Sequence, residues 1–317
     1  MTSIVSRSAR ESVREFAELV ECTTPSSAIN NSCLQNIGVD NILKYSKPEW
    51  YVHSRAQRQL DFVWMPVIDG EFIPGEPLDL INDATFLDQH GAFQKDYLIG
   101  VLNDEGALLT TNFFYPIPLD TLSNSTFFTD LQTYLLQNRF GKEKPTKATL
   151  IDAINTFYTG KANLPLNPTA KSALDLCSDL VFGVPAVEAA LALSNPQITK
   201  KSKTFLFQVD YCPPHAESQA PCFRHGDILA LVFPRRNITD PVEAKLSDLV
   251  ISVLSRFAKS SDPGATLDCG WPEFEPNRRQ YLRLSPNSDV RSFLYHYRMQ
   301  FWLRTVPCIM YGDAYCT

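Results

Sequence analysis

The segment YLIGVLNDEG (residues 97–106) decides how this chain is read. Its first part, YLIGVL (97–102), is a short and nearly continuous apolar run. A half-buried strand alternates apolar and polar side chains; an unbroken run suits a strand covered on both faces, as in a parallel sheet. NDEG then ends the run abruptly, which puts Glu105 just past the carboxyl end of the strand. In open α/β sheets, ligands and catalytic groups gather at that end. TFLFQVDY (204–211) is a second strand, rich in aromatic and β-branched residues, and YLRLS (281–285) a third. FVWMPVIDGEFIP (62–74) reads as a strand broken by an Asp-Gly turn.

Helical spacing fills the intervals. Ser8-x-x-Glu11 has the pattern of a capping box, and Val13, Phe16, Ala17 and Val20 follow it on one face of a helix ending near Cys22. In ATLIDAINTFY (148–158), Leu150, Ile151, Ile154 and Phe157 share a face. Asp240-Pro241 opens another helix with a capping residue and a first-turn proline. Leu246, Leu249, Val250, Val253, Leu254 and Phe257 form its stripe, and SSDPG stops it. A last helix is expected from about Asp289, with Val290, Phe293, Leu294, Tyr297 and Phe301 on one side. Strands alternating with helices define an α/β architecture. Three or four strands are few for 317 residues, so the sheet is expected to be thin.

Composition narrows the function. With 44% hydrophobic residues the chain can bury a large core. The net charge is −6 and no basic stripe is present, which argues against nucleic acid as a partner. Arg235-Arg236 and Arg278-Arg279 are too short to be patches and read as solvated charges. No apolar run approaches the roughly 18 residues that a membrane span needs. The first residues, MTSIVSRSARESVREF, lack the apolar stretch of a secretory signal. Against this stand eight cysteines and sequons at Asn30, Asn124 and Asn237. Together these lean toward a secretory protein whose export signal is missing from this sequence.

CFRHGDILALVF (222–233) puts His225 and Gly226 directly before an apolar run. Cys212, His215, Cys222 and His225 spell C-x2-H-x6-C-x2-H, which resembles a zinc site. The gap is short beside the usual dozen or so residues between ligand pairs. A disulfide between Cys212 and Cys222 would close a short loop instead. A histidine with no task is the plainest alternative. As a general base, His225 would need a carboxylate to hold its tautomer, and Glu105 is the candidate.

These motifs, taken in order, resemble the C-terminal part of the type B carboxylesterases and cholinesterases, which are α/β-hydrolases. FVWMPVIDGEFIP is similar to the family's F-x-P-V-x-D-G-x-F-x-P, and GVLNDEG to its G-x-N-x-D-E-G. SDLVFGVP (178–185) resembles D-x-x-F-x-x-P, and RHGDILALVF resembles H-G-x-E-x-x-x-V-F. RFAKSSDPG and GWPEF resemble the two motifs that follow. The resemblance implies that Glu105 is the triad acid, that His225 is the triad base and that Cys22 pairs with Cys33. It implies a single partial domain over residues 1–317, a C-terminal portion of the hydrolase sheet flanked by helices. It further implies a small carboxylic ester as substrate if an N-terminal half completes the site, an extracellular location, and no cofactor or metal, and it leaves open a homodimer through the C-terminal helices. Phe62 and Trp64 hold the places of acyl-pocket aromatics, where bulky rings would favour a short acyl chain; the alternative is that they are simply buried strand aromatics.

The departures are as informative. G-x-S-x-G occurs nowhere in the chain, so the family's N-terminal strands, nucleophile elbow and oxyanion hole are expected to be absent. Ile228 replaces an acidic residue after the histidine, and Val184 and Met299 occupy the places of a second family disulfide. Leu108-Leu109 replaces an aromatic pair, which argues against a cation–π site for a quaternary ammonium. Two classes of function stay open. One is an ester hydrolase that retains its acid and base but lacks a nucleophile, and so is silent as this chain alone. The other is a non-catalytic, esterase-like adhesion or binding protein.

Overall fold

The computed structural model describes residues 9–46, 66–111, 117–140, 147–160, 168–196, 202–212, 222–234, 238–265 and 267–316. The three segments read as strands become parallel neighbours: β1 (Tyr97–Leu102), β2 (Thr204–Val209) and β3 (Gln280–Leu284). β4 (Asp289–Ser292) adds antiparallel to β3, so the order is β1-β2-β3-β4. Every residue of β2 is buried, including the polar Thr204 and Gln208, as befits a strand covered on both faces. Gly100 sits opposite Phe207, and a Cβ on it would lie 2.1 Å from that ring, so the smallest residue admits the largest neighbour.

Helices cover both faces. Besides α1 (Ala9–Leu19) and several short helices, they are α2 (Ser125–Phe140), α3 (Ala148–Thr159), α4 (Ala170–Leu193), α5 (Asp227–Val232), α6 (Pro241–Ser260) and α7 (296–311). α2, α3, α4 and α7 pack on one face of the sheet through Phe128, Leu150, Leu176 and Trp302, against Val101 and Leu206. α5 and α6 pack on the other through Leu231, Leu246, Val250 and Val253, against Phe205, Phe207 and Leu282. Fully burying one such side chain contributes about 1.5–3 kcal/mol. The α6 stripe faces inward as its spacing predicts, and Asp240 caps it by accepting from the N–H groups of Val242 and Glu243.

Several expectations change. Pro66–Pro74 forms no strand: Asp69 accepts from the N–H groups of Glu71 and Ile73, and this local turn leaves Phe72 in solvent. The helix expected from Asp289 begins at His296, because Asp289–Ser292 pairs with β3 and both Phe293 and Tyr295 take left-handed backbone. α4 is long and apolar enough to cross a membrane, contrary to the reading that no run approaches that length. Gly183, Pro185 and scattered charges interrupt it in sequence. In the fold it is a core helix, with 56% of its most apolar window buried. Ser8, Phe62, Trp64, His215 and Asn237 lie outside the described residues.

Candidate active site

β1 delivers Glu105 to the carboxyl edge of the sheet. The residue opens a 3-10 turn, Glu105–Ala107, immediately beyond the strand, and its side chain is only 8% exposed. A carboxylate so buried must be hydrogen-bonded. The Leu102 N–H donates to Oε1 at 2.8 Å, while Oε2 lies 2.7 Å from His225 Nδ1. With the carboxylate ionised, Nδ1 carries the proton and donates, which leaves Nε2 as the acceptor nitrogen. Among the described residues Nε2 has no hydrogen-bond partner, and the histidine side chain is 43% exposed.

Two loops are joined to hold this pair. The Asp104 N–H donates to the Phe223 carbonyl at 3.1 Å, and Asp104 Oδ2 accepts from the Cys222 N–H at 2.7 Å. Cys222 is bonded to Cys212, three residues beyond β2, so the histidine loop is tied to the end of the next strand. Those two sulfurs are therefore joined to each other, not offered to a metal. The Arg224 N–H bonds Asp227 Oδ2, and Gly226 takes φ 88°, a conformation that glycine adopts without strain. The result is a tight turn with His225 at its tip.

α4 supports the site from below. The Gly106 N–H donates to Ser178 Oγ at 2.8 Å, and a Cβ on Gly106 would stand 2.0 Å from the Leu174 carbonyl oxygen. The π-turn Asp179–Gly183 within α4 sets the Phe182 ring 4.7 Å from the imidazole. Such turns interrupt helices frequently at functional positions. The Tyr295 hydroxyl donates to the Leu102 carbonyl and accepts from Gln208, each at 3.1 Å. Burial pushes that hydroxyl well above the ordinary tyrosine range, with Arg298 opposing.

Deeper still, Tyr158 donates to Asp179 Oδ2 at 2.5 Å, and Arg298 Nε lies 3.4 Å from Oδ1. Burial raises the Asp179 carboxyl to about 7 despite the pull of Arg298. Burial, followed by the nearby Glu105 and Asp179 charges, pushes the Cys177 thiol up to about 12, so it stays protonated.

The sequence pointed to Glu105 and His225, and the fold brings them into contact. Ser178, Phe182 and Tyr295 were not singled out. The first two stood inside SDLVFGVP, while Tyr295 sits in a left-handed turn with no periodic signal. Cys22 and Cys33 are bonded, as are Cys308 and Cys316, a pair the sequence reading did not propose. Asn30 and Asn124 are exposed, each capping a turn through Oδ1. No group of three or more His, Cys, Asp or Glu side chains that could hold a metal ion occurs among the described residues.

A four-stranded mixed sheet flanked by helices, with an acid and an imidazole meeting at its carboxyl edge, fits the class of α/β-hydrolases. Residues 1–302 match the carboxylesterase family, and the chain belongs to that family. It is similar to carboxylesterase 1D of Rattus norvegicus, at 24% identity over 302 residues, covering 90% of this chain and 49% of that protein. Liver carboxylesterase 1 of Mus musculus is 24% identical over 308 residues, covering 93% of this chain and 51% of its own. Liver carboxylesterase of Sus scrofa is 23% identical over 312 residues, covering 95% and 52%. The chain spans about half the length of these relatives.

Proposed function

We propose that this chain carries the acid–base half of a carboxylic-ester hydrolase triad. The hydrogen bond from His225 Nδ1 to a buried Glu105 carboxylate, whose other oxygen is held by the Leu102 amide, carries the reading. Glu105 orients the ring and stabilises its charged form. His225 Nε2 takes the proton of an attacking serine and returns it to the leaving alcohol. Neither step needs a metal or cofactor. The serine and the oxyanion donors are not among these 317 residues, which contain no G-x-S-x-G.

The loss of a triad nucleophile lowers the rate by roughly 10⁶. The chain by itself is therefore silent toward esters. Incubation with a fluorogenic short-chain ester should give the background rate, with and without a serine-directed organophosphate. Clear hydrolysis that the organophosphate abolishes would overturn this reading. The disulfides support folding in an oxidising compartment, and on the proposed reading the protein passes through the secretory pathway with glycans on the sequon residues Asn30, Asn124 and Asn237.

A further inference from the structure

Away from Glu105 and His225, a cavity of about 300 Å³ opens between α4, β2, the segments leading into β3 and out of β4, and α7. Its floor is apolar, formed by Val187, Leu206, Phe274 and Leu294. Arg279, Arg304 and His296 also line it, and no aspartate or glutamate does. Neither arginine forms an ion pair among the described residues, and Arg304 is exposed. Arg279 is half-buried and spends its Nε–H on the Pro276 carbonyl at 3.2 Å, which leaves its terminal nitrogens available. Burial, and then the positive charge of Arg304, hold the Arg279 guanidinium below its ordinary value.

The backbone points to the same place. Arg279 (φ 47°) and Phe293 (φ 59°) both lie in the left-handed region, and the Phe293 N–H bonds the Arg279 carbonyl at 3.0 Å. Strain of this kind in non-glycine residues concentrates at ligand sites. The exposed Arg304 and the half-buried Arg279, whose guanidinium also lies 6.0 Å from the Phe293 ring centroid, stand beside an apolar floor with no acidic side chain in the lining. That arrangement favours an anion, and a guanidinium matches a carboxylate in a bidentate fork. The volume is at the lower end for small-molecule sites.

We propose that this cavity binds a small amphipathic anion, a carboxylate with a compact apolar body, at a site separate from the ester-hydrolase pair. The site does not depend on the role assigned to His225. The test is calorimetric titration of the 317-residue chain with octanoate, using inorganic phosphate and octanol to separate charge from apolar contact. Octanoate should bind saturably and more tightly than either control. Arg304→Gln, at an exposed position, should keep the circular dichroism spectrum and weaken binding roughly tenfold or more. Arg279→Gln should weaken it similarly, while His225→Asn should leave it unchanged. The proposal fails if octanoate does not saturate, if Arg304→Gln binds it equally well, if phosphate alone binds as tightly, or if His225→Asn abolishes binding.

Discussion

His225 has one nitrogen committed and one available. Because Oε2 of a buried carboxylate faces Nδ1, the neutral ring should carry its proton there. Nitrogen-15 NMR of the imidazole should show a protonated Nδ1 and a bare Nε2, and Glu105→Gln should weaken that preference. The opposite tautomer in the unaltered chain would remove the base from its assigned role. Asp179 makes a different kind of prediction. Its carboxyl titrates near 7 in the fold and near 3.8 when unperturbed, so the folded chain binds this proton more tightly. The stabilisation is complete below the lower value and is lost as pH rises through the upper one. Urea unfolding at about pH 5 and about pH 8 should show the native chain losing more stability over that interval than Asp179→Asn. Equal slopes would show that Asp179 is ionised throughout. At this scale the sequence was legible where chemistry and motif coincide, at Glu105 and His225. It was silent at Tyr295, whose bonds to Leu102 and Gln208 come from chain segments far apart in sequence.

The turn after β1 allows little freedom. A methyl group at Gly106 would strike the Leu174 carbonyl, which is backbone and cannot swing aside. Gly106→Ala should cost about 3 kcal/mol or more. A methyl group at Gly226 meets nothing within 4 Å and opposes only its φ of 88°, so Gly226→Ala should cost about 1–2 kcal/mol. Thermal or urea unfolding of the two variants checks the order; a larger loss at Gly226 would contradict it. The elements most plainly read were those with long runs, β2 and α6. Asp289–Ser292 was misread because Val290, Phe293 and Leu294 have helical spacing, while pairing with β3 overrides that local signal. α2 and α4 were not recognised in the sequence, although they supply much of one core.

Over the whole molecule the sheet is as thin as its few strands suggested, and β1 pairs with only one strand among the described residues. On the proposed reading, the remaining strands of the family's sheet pair along that open edge and bring the serine to Nε2. Cys212 and Cys222 are ten positions apart. Reducing this bridge should cost about 3 kcal/mol and free the histidine loop. Cys222→Ser with Cys212→Ser should therefore lower the melting temperature and broaden the His225 resonances. Unchanged resonances would show that the Asp104 contacts hold the loop without the bridge. What the sequence could not convey is how the two halves of the site meet, because that depends on the Asp104 contacts with Phe223 and Cys222, more than a hundred residues away.

The most direct measurement is ester hydrolysis by this chain fused behind the nucleophile-bearing half of a related carboxylesterase, compared with the same fusion carrying His225→Gln. The account predicts organophosphate-sensitive turnover in the first and a loss of at least about 10⁴ in kcat in the second. Turnover that survives His225→Gln would contradict it.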